Sequence, residues 1–283
     1  MSYLPSILPV PPTGTTPLRV LTIAGSDSGG GAGIQADMRT MAMLGVHACV
    51  AVTAVTEQNT LGVKCFHEVP DEFVAGQIEA VVTDIGIQAA KTGMLASSRI
   101  IGTVAATWRR LGLTVPLVVD PVCASMHGDP LLAPSALGSL RDRLFPLATL
   151  VTPNLDEVRL LVDIEVTDPT SQRAAAKALH ALGPRWVLVK GGHLRSSGSS
   201  YDLLYGSASE GADFYEFDAP RIPTGNDHGG GDTLAAATAC ALAHGYTVPD
   251  AVDFGKQWVT ECLRAAYPLG RAHGPVSALF RLS

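Results

Sequence analysis

The feature that most constrains this chain is a repeated unit: a short apolar run that stops at a glycine-rich or polar turn and gives way to a helical pattern. Residues 18–24 form such a run, suited to a strand buried on both faces. It ends in Gly25-Ser26-Asp27-Ser28-Gly29-Gly30-Gly31-Ala32-Gly33, after which Ile34, Met38, Met41 and Leu44 recur at helical spacing and residues 46–56 supply another strand. Further along, residues 62–69 read as extended, 70–83 as a helix opened by Pro70, 88–94 as a short strand with a turn, and 98–111 as a helix. Buried strands at 116–120 and 148–152 stop at Pro121 and Pro153, and 186–190 opens into Gly191-Gly192-His193. Residues 201–205 and 213–218 pattern as a hairpin with 196–200 as its flexible lead-in, and helices around Asp232 and over 249–266 close the chain. This alternation predicts a doubly wound, three-layer α/β/α domain with a central, mostly parallel sheet and a small β hairpin. The domain is expected to span 18–283. Residues 1–17, broken by Pro5, Pro9, Pro11, Pro12 and Pro17, are expected to be a disordered leader.

Composition narrows the function classes. The chain of 283 residues is 47% apolar and 16% charged, with a net charge of −6, so it offers no basic stripe for a nucleic-acid backbone. No apolar run approaches the ~18 residues of a membrane span. Five cysteines form no CxxC pair, as expected of reduced thiols in the cytoplasm.

Chemistry concentrates in Asn226-Asp227-His228-Gly229-Gly230-Gly231-Asp232-Thr233-Leu234, which runs into an alanine-rich helical stretch. A helix start leaves backbone N–H groups free and carries the positive end of the helix dipole, a suitable seat for a phosphate. Asp232 could be a plain N-cap, but a cap does not need three glycines before it. The alternative is that Gly229, Gly230 and Gly231 bind a transferring phosphoryl group while Asp232 orients or deprotonates an acceptor hydroxyl. His228 is either a phosphate donor or a surface residue. The first glycine loop also satisfies a relaxed dinucleotide fingerprint through Gly31, Gly33 and Ala36, with Glu57 downstream. Asp27 and Asp37 argue against that reading, since both would place carboxylates near a pyrophosphate. A Walker A sequence is absent.

Asp120, Asn154, Glu157, Lys190 and Asp232 fall at the ends of predicted strands or at the helix starts after them, positions that converge on one edge of a doubly wound sheet. Singly, Asp-Pro is a turn device and Asn-x-x-Glu a helix cap. Together they suit Mg²⁺, with Asp120 and Glu157 as its carboxylates, neutralising nucleotide phosphates.

The motifs Ala24-Gly-Ser-Asp-Ser-Gly-Gly-Gly-Ala-Gly-Ile-Gln-Ala-Asp37, Gln58-Asn59-Thr60, Lys91-Thr-Gly-Met94, Asp120-Pro-Val122, Thr152-Pro-Asn-Leu-Asp-Glu157, Val189-Lys-Gly-Gly-His193 and the second glycine loop span most of the chain. In them it resembles the hydroxymethylpyrimidine and hydroxymethylpyrimidine phosphate kinases of thiamine biosynthesis, members of the ribokinase-like superfamily. The resemblance implies ATP as phosphoryl donor, a ribokinase-like fold and a homodimer. It implies that Asp37, Gln58 and Met94, with Gly25 and Val122, line a pyrimidine pocket, and that Asn154, Glu157, Lys190 and Gly192 serve the Mg-nucleotide side. Asp37 and Gln58 have the hydrogen-bonding groups to pair with an aminopyrimidine edge, and Met94 can pack on its face. The chain departs from the family in two places. Gly229-Gly230-Gly231-Asp232 replaces a usual Gly-Thr-Gly-Cys, Asp being what the superfamily's sugar kinases use there. Cys123-Ala-Ser-Met-His127-Gly stands where a basic residue is often found. The alternatives are a pyridoxal or pyridoxine kinase and a non-catalytic ligand-binding protein on the same scaffold.

Overall fold

The structure is a computed structural model that describes residues 8–124, 131–192, 198–206 and 213–282. His193, His127 and most of the segment from 124 to 128 lie outside the described residues, as do 196 and 197 of the expected lead-in at 196–200, whose last two residues, Ser199 and Ser200, instead begin a strand.

Strand β1 (Arg19–Ser26) leads into helix α1 (Gly33–Met43), β2 (His47–Asn59) and β3 (Gly62–Glu68). Then follow α2 (Asp71–Ala80), β4 (Ala89–Thr92), α3 (Ser98–Arg110) and β5 (Leu117–Val119). After a series of short turns that includes α4 (Leu137–Ser139) come β6 (Leu150–Val151), α5 (Leu155–Val162), α6 (Pro169–His180) and β7 (Trp186–Lys190). The chain closes with β8 (Ser199–Gly206), β9 (Phe214–Pro220), α7 (Gly230–Ala243) and α8 (Val248–Arg264). The described strands form one sheet in the order β3-β2-β1-β4-β5-β6-β7-β8-β9. Strands β2, β1, β4, β5, β6 and β7 pair in parallel, while β3, β8 and β9 pair antiparallel. The expected hairpin is β8–β9, and it pairs with β7, so it lengthens the main sheet at its edge.

Both sheet faces are covered, which is why the inner strands read as continuous apolar runs. Leu21, Ile23, Val187 and Val189 pack with Val74, Ile100, Trp108, Val158 and Leu179 of α2, α3, α5 and α6. Val20, Trp186 and Leu188 point the other way, toward Met41, Ala237, Cys240 and Trp258 of α1, α7 and α8. Leu8, inside the stretch expected to be a loose leader, is fully buried in this second cluster. Burial of its side chain in the cluster with Met41 and Leu44 offsets part of the conformational freedom that this short segment gives up.

From β1 the chain runs to β2 on one side and returns to β4 on the other. That reversal opens a crevice at the strand C-termini, where open α/β sheets bind ligands.

Candidate active site

The two glycine loops meet over this crevice. Gly229 caps α7 with φ +77°, and a Cβ on it would lie 2.1 Å from the Gly31 carbonyl oxygen, so only glycine allows this approach. Asp27 organises the first loop: it is 3% exposed and accepts hydrogen bonds from the amides of Gly29 (2.7 Å), Gly31 (2.9 Å) and Ala32 (2.8 Å). His228 Nε2 of the second loop lies 3.0 Å from Asp27 Oδ2 and 3.5 Å from Gln58 Nε2. Burial opposes the Asp27 charge, but His228 and the loop amides outweigh it and hold the carboxyl below its ordinary value. His228 is thus a tie between loops, with Nε2 already engaged.

The α7 start has a glycine in the left-handed conformation at its cap and backbone amides in its first turn. The Gly230 amide closes a turn on the Asp227 carbonyl at 3.1 Å. The next amides, of Gly231 and Asp232, belong to the first turn, where a helix has no acceptor of its own for them. Asp232 Oδ1 accepts from Lys91 Nζ at 2.8 Å and Oδ2 from the Gly33 amide at 3.1 Å. Burial works against this charge, yet Lys91, the Gly33 amide and Lys190 together keep the carboxyl below its ordinary value.

A second cluster stands at the ends of β5 to β7. Asp120 Oδ1 accepts from Lys190 Nζ at 3.0 Å. Asn154 and Glu157 form a reciprocal capping box on α5: Asn154 Oδ1 accepts the Glu157 amide at 2.9 Å and Glu157 Oε2 the Asn154 amide at 2.8 Å. Glu157 Oε1 accepts the Cys123 amide at 3.2 Å. The motif is therefore a helix cap that lies just after the end of β6. Burial pushes Glu157 up to about 7, despite Lys190 nearby. Burial opposes the Lys190 charge too, but Asp120 and Glu157 outweigh it and hold the ammonium above its ordinary value. Cys123 is pushed up to about 12, chiefly by burial, so its thiol is no nucleophile at neutral pH.

These groups share one open cleft of about 650 Å³. Its lining includes Gly25, Gln58, Met94 and Val122, the strand-end residues Asp120, Asn154, Glu157 and Lys190, and residues 229–232. Val122 holds φ +39°, a conformation that β-branched residues avoid, at a cost on the order of 1–3 kcal/mol. Gly192 lines a neighbouring cleft of about 490 Å³, which shares Asp227 with the first.

Asp37 corrects the expectation that it lines a substrate pocket. It is fully buried, takes Thr22 Oγ1 at 2.6 Å, and binds Lys91 Nζ with both oxygens at 3.0 Å. The motif that contains Lys91 was legible, but its side chain, fully buried between Asp37 and Asp232, was not singled out as part of the site. A lysine inside a wholly buried strand was the available signal, because such a charge must be paired.

Comparison with known proteins gives the family to which the chain is similar. Residues 27–277 match the phosphomethylpyrimidine kinase family. The chain is 82% identical to the hydroxymethylpyrimidine/phosphomethylpyrimidine kinase of Mycobacterium tuberculosis over 98% of its length and 99% of that protein's. Among solved structures, an ADP complex of Bacillus subtilis pyridoxal kinase superposes with a TM-score of 0.85 at 33% identity, covering 95% of this chain and 100% of that one. Phosphomethylpyrimidine kinase from Clostridium difficile gives 0.75 at 36% identity, over 86% and 98%.

Proposed function

This chain belongs to the phosphomethylpyrimidine kinase family, and from that premise we propose how its cleft carries out the reaction. It is a kinase of thiamine biosynthesis that phosphorylates 4-amino-5-hydroxymethyl-2-methylpyrimidine and then its monophosphate, with ATP as donor. One observation carries the residue assignment: the carboxylate of Asp232 borders the same cleft as the Gly229–Gly231 helix start, and that cleft also contains Gln58 and Met94.

In this reading the pyrimidine lies against Gly25, Met94 and Val122, with the Gln58 amide on its polar edge. The amides at the start of α7 hold the migrating phosphoryl group, and the helix dipole stabilises its charge. Asp232 takes the proton from the acceptor hydroxyl. A carboxylate held below its ordinary pKa is a weak base, but a loose phosphoryl-transfer transition state asks for little early proton removal. Lys190 and Asn154 meet the nucleotide phosphates, and Gly192 marks the adjoining cleft as the route for the rest of the nucleotide.

The residues present fit Mg²⁺ as an ion brought in on the nucleotide. Among the described residues no three His, Cys, Asp or Glu side chains gather as a cage. Lys190 holds Asp120 Oδ1, and backbone amides hold both Glu157 oxygens. Mg²⁺ uses one or two carboxylates and keeps several waters, so Asp120, backed by Glu157, would hold it. There it would neutralise phosphate charge.

We further propose that the enzyme works as a homodimer in the cytoplasm. No described helix is long and apolar enough to cross a membrane, and the five cysteines are free thiols. Light scattering in solution tests the dimer.

Pyridoxal is the competing acceptor, given the structural likeness to pyridoxal kinases. A coupled ADP-release assay with the pyrimidine alcohol, its monophosphate and pyridoxal separates the two. A higher kcat/KM on pyridoxal than on either pyrimidine would overturn the acceptor assignment.

A further inference from the structure

We propose that Lys91 is a positioning residue for Asp232: anchored from below by Asp37, it fixes the Asp232 carboxylate in place and keeps it ready to accept the proton of the acceptor hydroxyl. This deepens the reading of Asp232 given above and rests on it.

Lys91 lies on β4 with its side chain wholly out of solvent, as is that of Asp37 on α1. The ammonium has three protons. Its contacts number three as well: both oxygens of Asp37 at 3.0 Å and Asp232 Oδ1 at 2.8 Å. Asp37 is itself fixed by the Thr22 hydroxyl on β1 at 2.6 Å. Of the three groups only Asp232 reaches the cleft, its side chain being 16% exposed. A hydrophobic pair at 37 and 91 would fill the same space without the cost of burying charge. What such a pair would lack is a fixed hydrogen bond to Asp232 and a positive charge beside it.

The geometry also explains why two carboxylates are needed. With Asp37 neutral or absent, Lys91 would face Asp232 alone and bind the acid more tightly, leaving a poorer proton acceptor. With Lys91 absent, Asp37 and Asp232 would be two buried carboxylates without a counter-ion, and Asp232 would take up a proton too readily. The other charged groups that act on this cluster are Lys190 at the end of β7 and Asp120 just after β5. These two are paired with each other at 3.0 Å, so the local balance at Asp232 is set by Lys91 and Asp37.

The test follows the pH dependence of the first step against the second in purified full-length enzyme. Only the alcohol gives up a hydroxyl proton; the monophosphate is already an anion. In the double variant Lys91→Met/Asp37→Asn, which removes the buried pair together, the acidic limb of alcohol phosphorylation should move up by about 1 to 3 pH units. The limb for the monophosphate should stay where it is. In Asp37→Asn alone, the alcohol limb should not move up. A merely structural role for Lys91 would lower both steps together and leave both limbs in place, and that result would overturn the proposal. So would an upward shift of both limbs alike. Thermal melts establish that each variant is folded, and Asp232→Asn, run in parallel, separates the two readings. Loss of alcohol turnover in that variant combined with unmoved limbs in the double variant refutes the role of Lys91 alone, whereas full alcohol turnover in Asp232→Asn refutes the role of Asp232.

Discussion

At the residue scale, Asp232 has two oxygens in different company, Lys91 on one and the Gly33 amide on the other. Asp232→Asn keeps the shape but cannot accept a proton, so turnover of the pyrimidine alcohol should fall by about 10² to 10⁴. The monophosphate step should fall much less, and product quantitation on both acceptors checks the difference. Asp27 carries a different burden, three backbone amides and His228 on one buried carboxylate. Asp27→Asn replaces one acceptor oxygen by a donor facing donors, and should cost about 1–3 kcal/mol in urea unfolding. The same scale shows where sequence reasoning failed. Ile34, Met38, Met41 and Leu44 make a plausible helical stripe, yet Met38 is 42% exposed and Asp37 takes the inner position. Asp37 and Met38, three and four residues after Ile34, both fit the spacing of one helix face. Polarity favoured Met38, and the deciding partner, Lys91, is 54 residues away.

The elements were legible because their physics is local. Parallel strands buried on both faces read as unbroken apolar runs, and the glycine loop before Ala235 marks the start of α7 as the sequence suggested. Less could be read where tertiary pairing decides the outcome. The β8–β9 hairpin gives no sign in sequence that it will dock on β7, and β6 is only two residues long. Two glycines make the element-level argument testable. Gly229 holds a left-handed conformation against the Gly31 carbonyl. Gly229→Ala should destabilise the protein by at least about 1–2 kcal/mol and depress both phosphorylation steps to a similar degree, since the phosphate seat serves both. Equal loss there and unequal loss in Asp232→Asn would distinguish the seat from the base. Gly255 on α8 is a packing site instead: a Cβ on it would lie 2.4 Å from Thr238 Oγ1 of α7. Gly255→Ala should cost about 1–3 kcal/mol by chemical denaturation, and Thr238→Ala in the same chain should recover part of it, a coupling that a double-mutant cycle measures.

For the whole molecule, the buried carboxylates make stability depend on pH in two opposed windows. Asp27 and Asp232 are held below their ordinary value of 3.8, so the folded state binds fewer protons than the unfolded one there. Their contribution is complete above that value and is lost as the pH falls through their folded-state values. Glu157 is pushed the other way, from 4.5 to about 7, because burial and Asp120 disfavour its charge. Its folded form holds a proton that the unfolded chain has released, so this contribution is complete below 4.5 and is lost as the pH rises to about 7. Thermal melts of the ligand-free enzyme should therefore show a maximum at about pH 4, with Tm falling on both sides. Glu157→Gln should flatten the limb between 4.5 and 7, while the acid limb keeps its slope. Asp27→Asn should do the reverse. A Tm that rises steadily from pH 5 to pH 8 would mean that Glu157 is fully ionised in the folded enzyme, its cap amides and Lys190 prevailing over burial.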